Sequence, residues 1–271
     1  MSKSSDHRLS LAAALSKITA LHNGAEGVAE IVAVGVPAVP ALRDMLFRRE
    51  PSGLHQVRCR VAEALGLLGA VDVLEEFLRR PRRGDAVERL GDDVVVSAAA
   101  RAIARRKDNK TFKLLCELAR THPLNGLISA LASFRQPSTI PILIRALDED
   151  EVRQTAQAAL ASFGPDARPF LLDAIDRFKF TNAPSESQLR KCRSLLLLVG
   201  EARLNSDDIE RVRSFTANPD PQVSLLACRI ALCSESERAR SEAREQLGYL
   251  RERVPWLERL QIDQYLASAN D

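Results

Sequence analysis

The sequence contains few aromatic residues: they make up only 4% of its 271 residues, and there is a single tryptophan. Alanine, leucine, arginine and glutamate dominate instead. All four are strong helix formers, with little competition from β-branched or aromatic residues. The composition therefore predicts helix throughout the chain, and 45% hydrophobic residues suffice for a sizeable core.

Long apolar runs are also absent. The most apolar stretch, Leu195–Val199, is far shorter than the roughly 18 residues that a bilayer crossing needs. The first residues are polar, and the stretch that follows is interrupted by Ser16 and Lys17 and lacks the features of a signal peptide. We expect a soluble, cytoplasmic protein with no membrane partner.

Catalytic and metal-binding motifs are missing. The five cysteines are odd in number, widely scattered and without a CxxC pair, so they indicate neither a disulfide framework nor a zinc site. His55 and Cys59 could share a helix face, but two ligands do not make a metal site. The chain contains no P-loop, GxGxxG, GxSxG or HExxH motif. We predict a non-enzyme without catalytic residues, metal, cofactor or small-molecule substrate.

One pattern recurs along the chain. Residues 57–69 read VRCRVAEALGLLG and residues 152–164 read VRQTAQAALASFG, so valine, arginine, alanine-leucine and glycine coincide without a gap. The same frame accepts residues 23–35, 95–107, 123–135, 188–200 and 223–235. Each copy is long enough for about three and a half helical turns. Such self-similarity predicts an array of repeated helical units.

The end of the frame carries helix punctuation. Glycine occupies its last position at Gly35 and Gly164, and proline follows within two residues. This order predicts a glycine C-cap in the left-handed conformation and a proline in the first turn of the next helix. Lys107 and Arg135 stand at the glycine position of two other copies, which leaves those boundaries less well marked.

These features resemble the HEAT-repeat family, especially the short bacterial repeats also found in phycobilisome lyases. The resemblance covers nearly the whole chain and implies an all-α, right-handed α-solenoid of about six to seven helical hairpins. We predict a single domain, 1–271, with an N-terminal hairpin at 1–35, tandem repeats at 36–234 and two capping helices at 235–271. We expect the cap to have a polar outer face, with Trp256 and Tyr265 anchoring it.

Within each repeat, two stripes of the second helix are distinguishable. The stripe that includes Ala156, Leu160 and Cys192 is apolar at helical spacing and predicts core, so Cys192 is expected to be a buried thiol. The neighbouring stripe would line the concave surface if the family's arrangement holds. Its candidate partner-binding residues are Arg101, Gln154, Gln157, Arg190, Arg193 and Arg229, although ordinary solvated helix surface is the simpler explanation.

The resemblance also assigns a role to the arginine that follows the first valine of the frame. In HEAT proteins an arginine at this position pairs with an acid at the hairpin turn and forms a ladder between repeats. Arg58 and Arg153 occupy the position here, and Asp148–Glu151 lie just before Arg153. Val96 replaces the arginine in the intervening copy, so we expect the ladder to be interrupted there.

The most unusual segment is basic. It begins with RRPRRGD at residues 79–85, and we predict a loop that extends to about Gly91. Residues 79–113 contain eleven basic and five acidic residues, a net charge of +6. A patch of this strength attracts phosphates or an acidic protein, although a solvated loop is an equally simple explanation. Its candidate contact residues are Arg79, Arg80, Arg82, Arg83 and Arg105.

Three functions follow from these observations. The leading hypothesis is a non-enzymatic scaffold or adaptor that binds an acidic protein partner through the concave arginines and the basic loop, because a solenoid exposes a long surface without a pocket. The second is nucleic-acid binding through the patch at 79–113. The third is a bilin or cofactor lyase, or a subunit of one, which rests on the family resemblance alone.

Overall fold

The computed structural model describes residues 2–268 except 21, 49–54, 82–83, 179–183 and 203, with side chains described from residue 11 onward. The chain forms two compact units, Met1–Arg135 and Gln136–Asp271, called unit 1 and unit 2 below. Over the described ranges the regular structure consists of α-helices and short 3-10 turns, without a strand. The prediction of an all-α fold is confirmed.

Unit 1 is built from helical hairpins. The hairpins are α1 (Ser2–Thr19) with α2 (Gly24–Val34), α3 (Val39–Phe47) with α4 (Gln56–Leu67), α5 (Val71–Leu78) with α6 (Ala86–Ile103), and α7 (Asn109–Thr121) with α8 (Asn125–Ala132). Each first helix packs against its own second helix. The second helices also pack against one another in chain order, α2 on α4, α4 on α6 and α6 on α8.

Unit 2 repeats this plan. Its helices are α9 (Ile140–Ala146), α10 (Arg153–Phe163), α11 (Arg168–Asp176), α12 (Glu186–Gly200), α13 (Ser206–Arg213), α14 (Pro221–Ala231), α15 (Glu237–Arg251) and α16 (Trp256–Ser268). One layer holds α10, α12 and α14, and the other holds α9, α11 and α13. Helix α15 packs on α14, and α16 packs on α15. Both units therefore have the HEAT-like hairpin stacking of an α-solenoid. Their union in a single domain stays a prediction.

The repeat's terminal position has a positive φ wherever the frame predicted a helix end between residues 35 and 164. Gly35 and Gly164 have φ values of 81° and 57°, with ψ values of −153° and −131°, a region that only glycine enters without strain. Lys107 has φ 53° and ψ 24°, the ordinary left-handed helical region, which other residues can occupy at a cost. Arg135 also has a positive φ, 51°. The copies without glycine thus also reach a positive φ at this position, and Lys107 does so with a different ψ.

The predicted arginine contacts are present in both units. The Arg58 guanidinium donates from Nε to the carbonyl of Leu46 at 2.9 Å and from Nη1 to the carboxylate of Asp92 at 2.8 Å. Arg153 likewise donates from Nε to the carbonyl of Leu147, at 3.0 Å, and bonds to Asp150. Each arginine therefore binds a backbone carbonyl at the end of the preceding helix, where carbonyls lack helical partners.

The acid differs between the two copies. Asp150 lies in the hairpin turn, as the resemblance implied, and it also pairs with Arg190 at 3.0 Å. Asp92 instead lies on α6, one turn before Val96, and both it and Arg58 are buried. The pair joins the second helices of two successive hairpins. Val96 supplies no guanidinium for a similar contact with the next hairpin, so the interruption expected there stays a prediction.

The cap does not have the polar outer face that we predicted. Trp256 is 74% exposed, and Leu257 and Leu260 on the same helix are also exposed. The expectation that Trp256 anchors the cap is wrong. Tyr265 is partly buried against the core that α14 and α15 form, with the Arg229 guanidinium 5.5 Å from its ring centroid, as expected of an anchor.

Among the described residues, no single helix combines the length and apolar character needed to cross a bilayer. Gly24–Val34 and Val36–Phe47 reach the required length and composition only when taken together, and they are bent by 116° at the break between them.

We predict that Gly164→Ala lowers the free energy of unfolding by about 1 to 3 kcal/mol, because a Cβ at this φ and ψ is strained. The space around Gly164 is open, so strain and not collision is the cause. Gly248→Ala is the matched control, since Gly248 lies inside α15 with equally open space and gains up to about 1 kcal/mol of helix propensity. Urea denaturation measures both. Equal effects of the two substitutions would contradict the assignment.

We also predict that Arg58→Ala destabilises unit 1 by about 3 to 5 kcal/mol, because it removes the Arg58 guanidinium from the buried Asp92 carboxylate. Replacing both residues by leucine should cost less than Arg58→Ala alone. Arg43→Ala, which removes an exposed pair with Glu76, is the control and should change the urea midpoint much less. A double replacement as costly as the single one would show that the charge is not the cause.

Candidate functional site

The basic segment is shorter than the sequence indicated. Helix α6 begins at Ala86, and the Asp85 carboxylate caps it by accepting a hydrogen bond from the backbone N–H of Glu88 at 2.9 Å. The predicted loop to about Gly91 is therefore wrong, because residues 86–91 are helical. An aspartate followed three residues later by glutamate is a recognised helix-start signal that would have located this boundary.

This extended α6 presents large apolar side chains to solvent. Val87 is 75% exposed, Leu90 67% and Val94 39%. Spacings of three and four residues place them on one face of the helix. Arg101 lies fourteen residues after Val87, about four turns, so it continues the same face. We call Val87, Leu90 and Val94 the α6 stripe.

A cleft of about 540 Å³ lies beside the α6 stripe. Its position follows from the helix ends that meet there, the C-terminus of α5 and the turn between α7 and α8. Apolar and polar side chains share its wall: Leu78, Arg79, Arg80, Arg89, Asp93, Val96, Leu118, Thr121, His122 and Leu127. We call it the basic cleft.

Cations outnumber acids in the basic cleft. Within the part of the chain that the structure describes, neither Arg79 nor Arg89 forms an ion pair, and both are exposed. The Arg80 guanidinium lies over the Phe47 ring at 4.2 Å from its centroid, a contact that holds the side chain without neutralising it. Asp93 faces His122, with 3.5 Å between carboxylate Oδ2 and imidazole Nε2. The cleft thus offers guanidinium groups to an acidic ligand.

Part of the remainder of the patch at 79–113 is committed to the fold. Arg106 pairs with Asp108 at 2.5 Å and Lys110 with Glu75 at 2.8 Å. Lys107 donates to the Ser133 carbonyl at 2.7 Å, and desolvation by burial lowers the pKa of its ammonium group. Arg101 and Arg105 stay exposed at the far end of α6, where Arg105 lies 3.9 Å from Glu63. Arg82 and Arg83 lie outside the described residues.

In unit 2, the arginine candidates have internal partners. Arg193 donates to both carboxylate oxygens of Asp220, at 2.6 and 3.2 Å, and this hydrogen bonding raises the pKa of the guanidinium. Arg190 pairs with Asp150, and Arg229 lies over Tyr265. Gln154 is exposed and Gln157 half-buried on α10. Periodicity placed these residues on one stripe but did not reveal their acids, which come from turns and helix caps of other hairpins.

The described residues contain no group of three or more His, Cys, Asp or Glu side chains arranged to hold a metal ion. The thiols differ strongly in exposure: Cys192 and Cys228 are fully buried, whereas Cys233 is exposed. Burial raises the pKa of both buried thiols to about 12. The expectation that Cys192 is a buried thiol is confirmed. A thiol that stays protonated is also a poor nucleophile.

These pKa values predict a loss of stability in alkali. An unfolded thiol ionises near pH 8.5, whereas the folded Cys192 and Cys228 stay protonated to about pH 12. Between those values the unfolded state releases protons that the folded state keeps, so stability falls by about 1.4 kcal/mol per pH unit for each thiol. Urea midpoints above about pH 9 measure the slope. The slope should become shallower in Cys192→Ala with Cys228→Ala, and it should not change in Cys233→Ala.

No protein-family model and no curated protein matches the chain. Among solved structures, the chain is similar to one described as "the structure of the complex of CpcE and CpcF of phycocyanin lyase from Nostoc sp. PCC7120". The two are 19% identical, the match covers 88% of this chain and 93% of that chain, and the TM-score is 0.37. The HEAT-like fold of this chain follows from its own helices and their packing.

Proposed function

We propose that this protein is a non-enzymatic interaction scaffold that binds an acidic partner protein at the basic cleft of unit 1. The observation that carries the proposal is the combination of Arg79 and Arg89, exposed and without acidic partners among the described residues, with the apolar wall of the cleft. Arginine offers planar, paired donors to carboxylates, and apolar contact adds affinity that charge alone does not supply.

Nucleic acid fits this surface less well. Phosphate binding scales with the number of free cations, and Arg106 and Lys110 of the basic patch are already neutralised by Asp108 and Glu75. The described residues that line the basic cleft include no Phe, Tyr or Trp on which a base could stack, and the imidazole of His122 already faces the Asp93 carboxylate. The exposed α6 stripe beside the cleft would gain nothing from a phosphate backbone. Nucleic-acid binding is therefore the second candidate function. Nucleic acid would use the same arginines of the cleft as an acidic protein.

Unit 2 supports the proposal less directly. Arg190 and Arg193 hold Asp150 and Asp220, so a partner that used these arginines would have to compete with internal carboxylates. Gln154, Gln157 and Arg229 stay predicted contacts. The bilin-lyase alternative also stays a prediction, because no described residue carries an argument for or against that chemistry.

We predict that a photo-crosslinking amino acid placed at Leu90 of the full-length chain captures one stoichiometric protein in the native host. Arg79→Glu combined with Arg89→Glu should reduce the capture roughly tenfold or more, because like charges then meet across the contact. Mass spectrometry identifies the captured protein, and its acidic surface can be tested by raising the salt concentration.

The matched control is Arg145→Glu combined with Arg177→Glu, two exposed arginines of unit 2, which changes the net charge of the chain equally. Capture should survive in this control. Equal loss in both double variants, or no loss in either, would overturn the proposal. Recovery of nuclease-sensitive material alone would favour the nucleic-acid candidate instead.

A further inference from the structure

The α6 stripe leaves three large apolar side chains in contact with water. Val87, Leu90 and Val94 lie on the side of α6 that faces away from the buried Val95 and Ala99. Leaving a valine or leucine side chain in water forgoes about 1.5 to 3 kcal/mol of burial each. A contiguous exposed apolar group with a polar border is typical of a surface that a partner covers.

The dimensions of the stripe suit one secondary-structure element. From Val87 to Val94 the helix rises about 10 Å, and from Val94 to Arg101 about another 10 Å. The partner's contact should therefore span three to four helical turns, apolar over the first half and cationic at the far end. Such a length is short for a flat domain surface and sufficient for a single helix.

The backbone of α6 limits what form the partner can take. Between its first and last turns its N–H and C=O groups are used in the helix, and the Asp85 carboxylate accepts from the N–H of Glu88, so it has no row of free backbone groups to offer to an extended strand. Contact must be made through side chains alone. An amphipathic helix does this while satisfying its own backbone, with apolar residues three and four positions apart that match the spacing on α6.

Charge fixes the composition of that helix. Arg89 directly precedes Leu90, about 100° around α6 from it, and with Arg79 it lines the basic cleft on that side of the helix. Arg101 is exposed on the stripe's own face beyond Val94. A helix on the stripe therefore has guanidinium groups beside it and past one end. Carboxylates at those positions would be paired, whereas lysines would be repelled.

We infer that the occupant of the α6 stripe is an acidic amphipathic helix of the partner, packed along α6 with its apolar face on Val87, Leu90 and Val94 and its carboxylates toward Arg79, Arg89 and Arg101. This inference rests on the proposed function and specifies its partner.

The test uses three fluorescent peptides of about 18 residues, titrated with the full-length chain by fluorescence anisotropy. The first has leucines at helical spacing flanked by glutamates, the second has the same residues in an order without periodicity, and the third has lysine in place of glutamate. We expect the first peptide to bind at least tenfold more tightly than either of the others.

Two double variants then locate the site. Leu90→Ser with Val94→Ser should weaken binding of the first peptide about tenfold, and Leu257→Ser with Leu260→Ser, an exposed leucine pair on α16, should leave it unchanged. All four side chains are exposed, so thermal unfolding should show that both proteins stay folded. An equal loss in the α16 variant would overturn the inference.

The outcomes separate this inference from the proposed function. Equal binding of the ordered and reordered acidic peptides, or no effect of Leu90→Ser with Val94→Ser, would overturn the helix while leaving an acidic partner at the cleft. Tight binding of the lysine peptide would contradict both. All three peptides could fail to bind while crosslinking at Leu90 stays sensitive to Arg79→Glu and Arg89→Glu. That result would overturn the inference of a helical partner and leave the proposed function standing.

Discussion

A helical hairpin cannot bury both sides of its second helix by itself, and this constraint governs the rest of the structure. In unit 1 the second helices α2, α4, α6 and α8 pack in sequence, and in unit 2 α10, α12 and α14 do the same. Each helix completes the core of the one before it. The side chains between them are mainly Ala, Leu, Ile and Val, because close approach of neighbouring helices leaves little room for aromatic rings.

Stacking of this kind leaves polar groups at helix ends. Asp, Asn and Ser side chains cap several N-termini, and arginines bind carbonyls at several C-termini. Arg58 and Arg153 reach carbonyls at the end of the preceding helix, and Arg193 holds the aspartate that caps α14. The Asp220 carboxylate serves two purposes, since it also accepts from the backbone N–H of Val223. Much of the positive charge in the composition is therefore internal to the fold and unavailable to a partner.

Against that background, the corner formed by α5 and α6 differs from the other hairpins. Its arginines Arg79 and Arg89 have no described acid, and its second helix extends by more than two turns beyond the repeat frame at residue 95. The extension carries Val87, Leu90 and Val94 out of the core. The exposed apolar side chains on α16 are a second difference from the other hairpins. The residues around them do not indicate which kind of partner would cover them.

Helix content, the hairpin repeat and the buried stripe could be predicted from the sequence, because they depend on local propensity and on apolar spacing within a single helix. The recurrence of Val-Arg, Ala-Leu and a terminal glycine also located the turns, including those at Lys107 and Arg135, where glycine is missing.

Only the tertiary structure decided which charges are free and which apolar residues are exposed. Asp92 neutralises Arg58 from the next hairpin, Asp220 neutralises Arg193 from another, and neither distance is encoded in a periodic pattern. The start of α6 at Ala86 turned a predicted loop into a helix with an apolar face. The amino-acid sequence thus determined the repeating unit, whose interactions are local, whereas the candidate binding surface depends on pairings between hairpins, which exist only after they have stacked.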